Sequence, residues 1–167
     1  MTDLKKQHER AVGDAFVRWY NSNKNAAFVF QSLGSDPPDL VYEDGERILP
    51  LEITTAYYDS TDARMRWGHA RNDLRAPNEW SGANPDQALM ADVGEILKKK
   101  CLGTHENGTV LVVQVYPAVT TISDVDRHVK SIPIPTIVPF SEIYLTGDFP
   151  SSSKSPGGYY CWKLGGA

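Results

Sequence analysis

The run TVLVVQVY from Thr109 to Tyr116 constrains the fold more than any other stretch of this chain. Its apolar side chains do not alternate with polar ones, so both faces of the strand it predicts must be covered, as in the middle of an α/β sheet. Such a strand needs neighbours on both sides and helices above and below. The flanking sequence supplies candidates. From Asp3 to about Ser22, residues Leu4, Ala11, Val12, Ala15, Phe16 and Trp19 fall on one side of a helical wheel. From Asp86 to Cys101, residues Leu89, Val93, Ile96 and Leu97 form a second stripe, with Gly103 as its stop signal. Between these helices lie three strand-like runs, Ala26 to Phe30, Asp39 to Glu43 and Arg47 to Tyr58, the last two joined by a turn of the Asp-Gly kind at Asp44-Gly45. Pro50 cannot donate to a sheet ladder and predicts a bulge or a bond-free position.

Residues 59 to 86 are polar and punctuated by Gly68, Pro77, Gly82 and Pro85, which predicts a long connection containing a short helix near Ala63 to Leu74. Downstream, Ser123 to Lys130 reads as a short helix capped by Ser123. Phe140 to Thr146 and Tyr159 to Leu164 read as two further strands, with a mobile linker from Ser151 to Gly158. The order helix, three strands, helix, strand predicts an α/β fold. We expect three layers, with a central mixed sheet flanked by helices and a C-terminal β extension. A chain of 167 residues that is 41% hydrophobic fits one domain, residues 1–167, with a core at about 3–117 and an extension at about 118–167.

The formal net charge of −4 argues against a protein that coats nucleic acid nonspecifically, which usually rests on a strongly basic surface. A local basic patch can still attract phosphate. Arg64, Arg66, His69, Arg71 and Arg75, with Trp67 and Trp80 nearby, form such a patch, and the bland alternative is a solvated face. No run approaches the roughly 18 apolar residues of a membrane span, and the N-terminal stretch lacks the apolar segment of a signal peptide, so a cytoplasmic protein with no membrane partner is expected. Cys101 and Cys161 stand far apart without a CxxC or Cys/His cluster, which predicts two buried, reduced thiols and neither a zinc site nor a disulfide.

Two acids then stand out. Asp39 follows Pro37-Pro38 at the start of one strand, and Glu52 sits inside the next among Ile48, Leu49, Leu51 and Ile53. Burying a carboxylate there costs on the order of several kcal/mol unless it is paired, hydrogen-bonded or bound to a cation. If the strands pair, the two carboxylates converge, and together they match the one or two carboxylates with which proteins usually hold magnesium. Alternation places Thr54 on the same face as Glu52. The bland readings are a strand-start cap for Asp39 and an ion pair with Arg47 for Glu52.

With Asp after Pro-Pro at the second strand and Glu-x-Thr in the third, residues of about 3 to 117 resemble the PD-(D/E)xK nuclease superfamily, whose fold is that of restriction endonucleases. The resemblance implies a nuclease that hydrolyses phosphodiester bonds of DNA or RNA with Mg2+ (or Mn2+) held by Asp39 and Glu52, assisted by a first-helix acid, Glu9. It also implies nucleic acid as partner and admits a homodimer. Thr54 stands where the family has lysine, and threonine is no cation. This departure opens the alternative of a catalytically silent relative that binds nucleic acid or regulates, beside that of a structural α/β domain with incidental acids.

A replacement cation is available on the second helix. At about 100° per residue, Lys100 falls in the middle of the stripe of Leu89, Val93, Ile96 and Leu97, whereas Lys98 points away from it. Lys100 is therefore the candidate for the missing charge, against the reading that it snorkels from the last turn and suits the helix dipole. Glu9 lies at the margin of the first helix's apolar stripe and competes with the reading of a surface acid. His8, nearer the centre, is expected to be a half-buried packing residue. Gln114 is either an orienting group or a satisfied core amide.

Overall fold

The computed structural model describes residues 3–76 and 84–166. One six-stranded mixed sheet runs in chain order from edge to edge. Its strands are β1 (Val29–Leu33), β2 (Leu40–Asp44), β3 (Arg47–Ala56), β4 (Val110–Val115), β5 (Glu142–Phe149) and β6 (Gly158–Gly165), and its helices are α1 (Asp3–Lys24), α2 (Ser60–Ala70), α3 (Pro85–Lys100) and α4 (Ile122–His128). β1, β2 and β3 are antiparallel, β3, β4 and β5 are parallel, and β6 returns antiparallel to β5. Every residue of β4 is buried. Its apolarity, broken only by Gln114, has the expected cause, because Val110 and Val112 pack into one core and Leu111, Val113 and Val115 into another on the opposite face.

The first core is closed by α1, whose Val12, Phe16 and Val17 lie against Leu40, Tyr42, Leu51 and Ile53. Gly13 sets how close that helix comes: a Cβ there would stand 2.4 Å from Leu40 Cδ1 and 2.8 Å from the Tyr42 hydroxyl. The second core is closed by α3, through Leu89, Met90, Val93 and Leu97, and by Val125 of α4. Pro85 opens α3, where a missing N–H costs nothing, and Lys98, Lys99 and Lys100 end it where cations suit the dipole. Lys98 is exposed and Lys100 half-buried, as the wheel predicts. Among the described residues, no helix is long and apolar enough to cross a membrane.

Several expectations need correction. The last third of the chain is part of the central sheet and no appendage, since β5 pairs in parallel with every residue of β4, from Val110 opposite Glu142 to Val115 opposite Gly147, and α4 lies on the crossover between them. The edge strand begins at Val29 and not Ala26. Asn21 holds Phe28 by both backbone groups, Nδ2 to the Phe28 carbonyl and Oδ1 from its N–H at 2.9 Å each, which diverts that segment from the ladder. Pro50 causes no bulge: β2–β3 register is unbroken through Val41 and Pro50, and pairing with β4 starts one residue later at Leu51. The connecting helix ends at Ala70, and Leu74 is fully exposed. Pro77, Trp80 and Gly82 lie outside the described residues. The expected mobile linker is a tight turn with a Ser152–Ser155 bridge, and buried Ser155 accepts from the Ser123 N–H at 3.3 Å. Cys161 is buried but Cys101 only half so.

The cap of α4 is Thr121, two residues before the expected Ser123. Its hydroxyl accepts from the Asp124 N–H while the Asp124 carboxylate accepts from the Thr121 N–H, a reciprocal capping box. Thr121→Ala should therefore cost about 1 kcal/mol of stability in urea unfolding, and Thr121→Ser should restore most of it.

Candidate active site

Asp39 stands one residue before β2, and the loop that delivers it is tightly folded. Gly34 donates its N–H to the Asp39 carbonyl at 2.8 Å, and a Cβ at Gly34 would lie 1.9 Å from the Pro38 carbonyl oxygen, so only glycine fits. At the far end of the hairpin Gly45 takes a positive φ of 62°, and the Asp44–Arg47 pair closes the turn. Asp39 then grips β3 on both sides of Glu52. Its N–H donates to the Leu51 carbonyl at 2.9 Å, and its Oδ2 accepts from the Ile53 N–H at 2.8 Å.

Glu52 is buried, with 5% exposure, and Arg47 does not pair with it; Arg47 binds Asp44. Its partner is Lys100, whose Nζ lies 2.5 Å from Glu52 Oε1. The helix-borne lysine thus reaches the strand acid across the layer interface. The other oxygen, Glu52 Oε2, is buried and has no hydrogen-bond partner among the described residues. An ionised oxygen left bare in a protein interior is costly, and buried polar atoms without partners are rare enough to demand a cause.

Glu9 completes the acidic group. Its carboxylate is buried at 5% exposure, pairs with Lys5 at 2.9 Å, and lines with Asp39, Asp36 and Lys6 a cleft of about 210 Å³. Glu9 is thus more deeply set than its place at the stripe's margin implies, while His8 is half-buried as expected. Asp39 registers this company. Burial raises its pKa most, the Ile53 N–H opposes, and the nearby charges of Glu52 and Glu9 raise it further, to about 6.

The remaining candidates fall outside this group. Thr54 is half-buried two residues beyond Glu52, and no hydrogen bond among the described residues joins it to either acid. Gln114 is buried and donates to the Val115 carbonyl at 3.0 Å, the satisfied amide of the bland reading. In the basic patch, Arg66 is committed to Asp62 at 2.7 Å and to the Tyr116 carbonyl at 2.7 Å, while Arg64, Arg71 and Arg75 line a cavity beside Trp67. Sequence reading passed over Lys5, although its i,i+4 spacing to Glu9 was a usable signal. It also passed over Tyr57 and Tyr116, whose convergence depends on strand pairing.

Comparison with family models, curated proteins and solved structures finds no match to this chain. The site must therefore be judged on its own donors. Among the described residues, no set of three His, Cys, Asp or Glu is gathered closely enough to form a ready-made metal cage. A two-carboxylate site for a hard divalent cation is a smaller requirement, and the two acids that bear on it are Asp39, bonded to the Ile53 N–H, and Glu52, with one unpartnered buried oxygen.

Proposed function

We propose that this chain is a metal-dependent phosphodiesterase acting on nucleic acid, built on a restriction endonuclease-like arrangement of its sheet and helices. The observation that carries the reading is the state of Glu52, a buried strand carboxylate with a lysine on one oxygen and nothing on the other, beside Asp39. An ion pair serving stability alone would satisfy both oxygens or be replaced by apolar packing.

Asp39 and Glu52 would hold Mg2+ or Mn2+. What the cation supplies when bound is neutralisation of phosphate charge and a more acidic water. The chain's own groups do the rest. Asp39, locked to the Ile53 N–H, fixes the angle at which its free oxygen is offered. Lys100 orients Glu52 and places a positive charge beside the acids, the contribution that Thr54 cannot make. Glu9 raises the proton affinity of Asp39 from the cleft they both line. The alternative of a silent binding relative draws on the same Thr54, and activity decides between them.

The deciding experiment is a melting series with manganese. The native protein should gain several degrees at saturating metal, whereas Asp39→Ala and Glu52→Ala should gain none. Equal gains in all three proteins would remove the metal site. Cleavage of labelled single- and double-stranded DNA and RNA with manganese then separates a nuclease from a silent relative.

A further inference from the structure

The carboxyl ends of the two central parallel strands carry a feature that the acidic site does not use. Tyr57 follows β3 and Tyr116 follows β4, and between them lies a cavity of about 300 Å³ walled by His8, Tyr57, Arg66, Trp67, Ala70 and Tyr116. Open α/β sheets place ligands at this end of their strands. The rings are held by their polar edges. Trp67 Nε1 donates to the Tyr57 hydroxyl at 2.6 Å, the Tyr116 hydroxyl meets His8 Nδ1 at 3.1 Å, and His8 Nε2 meets Thr55 Oγ1 at 3.2 Å. Their polar atoms are spent on one another, and guanidinium groups already lie near two of the rings, Arg66 5.4 Å from the Tyr116 centre and Arg71 5.5 Å from that of Trp67, the flat cationic company that a stacked base also keeps. His8 and Trp67 stand edge to face at 5.2 Å.

The walls also state the charge of what they would take. An aromatic cage alone suits a quaternary ammonium, but Arg66 stands in this wall, fixed by Asp62 and the Tyr116 carbonyl, and repels a cation. Trp67 is shared with a second cavity of about 540 Å³ that presents Arg64, Arg71 and Arg75, and the Arg71 guanidinium lies 5.5 Å from the Trp67 ring centre. A planar aromatic group next to a run of negative charge fits both cavities. On the other side, one turn of α1 borders both cavities, His8 lining the aromatic one and Glu9 the acidic cleft.

We infer that the Tyr57–Trp67–Tyr116 cavity binds a nucleobase of single-stranded nucleic acid, with the adjoining backbone phosphates over Arg64, Arg71 and Arg75. A base inside a duplex is stacked on both faces and cannot enter, so single strands and unpaired ends are the class selected. The inference rests on the proposed nucleic-acid activity for the direction in which the strand continues, toward Glu9 and Asp39. The cavity itself is tested without metal or cleavage.

Binding of a short fluorescein-labelled single-stranded DNA, measured by anisotropy in chelator, should exceed binding of the same sequence as a blunt duplex. Trp67→Ala should weaken it at least about tenfold, the loss of one base–aromatic stack, and Trp67→Phe should keep most of it. Ala70→Phe, which fills the cavity from an exposed helix position and leaves the ring network in place, should block binding even if Trp67→Ala folds poorly. Equal affinity for duplex and single strand, or native affinity in a folded Trp67→Ala or Ala70→Phe protein, overturns the inference. Stacking that survives with no cleavage under manganese would instead sink the phosphodiesterase reading and leave the cavity standing.

Discussion

Asp39→Asn is expected to stabilise the metal-free protein at neutral pH, by roughly 2 kcal/mol, although it alters a buried carboxylate at the centre of the proposed site. The sign follows from the proton balance. In the folded chain Asp39 holds its proton up to about pH 6, pushed there by burial and by the charges of Glu52 and Glu9. In the unfolded chain it releases that proton near pH 4. Between those limits the folded state binds more protons, so stability from this group is fully present below about pH 4 and is lost as the pH rises to about 6. Above that, the ionised carboxylate is a standing cost that asparagine removes, while its side-chain oxygen still accepts from the Ile53 N–H. Urea unfolding in chelator across this range should show a downward slope with rising pH in the native protein and a flatter one in Asp39→Asn. Parallel slopes would mean that Asp39 is not the titrating group.

Metal should invert the ranking. A divalent cation favours the ionised form of Asp39, so its binding displaces a proton near pH 6 and grows tighter with pH until about 7. The native protein should then overtake Asp39→Asn at saturating manganese. A carboxyl that destabilises the empty fold and stabilises the loaded one marks a site kept for function at the expense of stability.

How much of this was legible in the chain depended on whether one residue carried the signal alone. β4 declared itself because every side chain in it but Gln114 is apolar, and Glu52 because a carboxylate interrupts an apolar strand. Lys100 was found by angle: three lysines end α3, and only one lies on the buried stripe. What failed to show required a second element. Glu9 lies at the margin of the α1 stripe, and its burial depends on what the sheet places beneath that margin. Tyr57 and Tyr116 each read as the end of an apolar run, and only the parallel alignment of β3 with β4, Ala56 opposite Val115, brings them to one cavity. β5 read as an extension because its membership of the sheet is set by the crossover through α4, which leaves no local mark.

Lys100→Met should have the largest effect on the site, and the direction of its metal response separates a functional lysine from a structural one. The substitution keeps most of the stem and deletes the charge, leaving both oxygens of a buried carboxylate without a partner. Breaking a buried pair on one side costs about 3–5 kcal/mol, and because the Lys100 side chain is 31% exposed, water reduces this to about 2–3 kcal/mol. Adding Glu52→Leu should recover much of the loss, since the penalty belongs to the stranded acid and not to the absent lysine. Manganese should stabilise Lys100→Met more than it stabilises the native protein, because the cation then meets a Glu52 with both oxygens free. Cleavage should nonetheless fall by about a hundredfold or more, the scale on which one charged group in an active site acts. Tighter metal with slower cutting is an outcome that a simple stabilising ion pair does not produce; unchanged cleavage in a metal-loaded Lys100→Met protein would remove Lys100 from the proposed site.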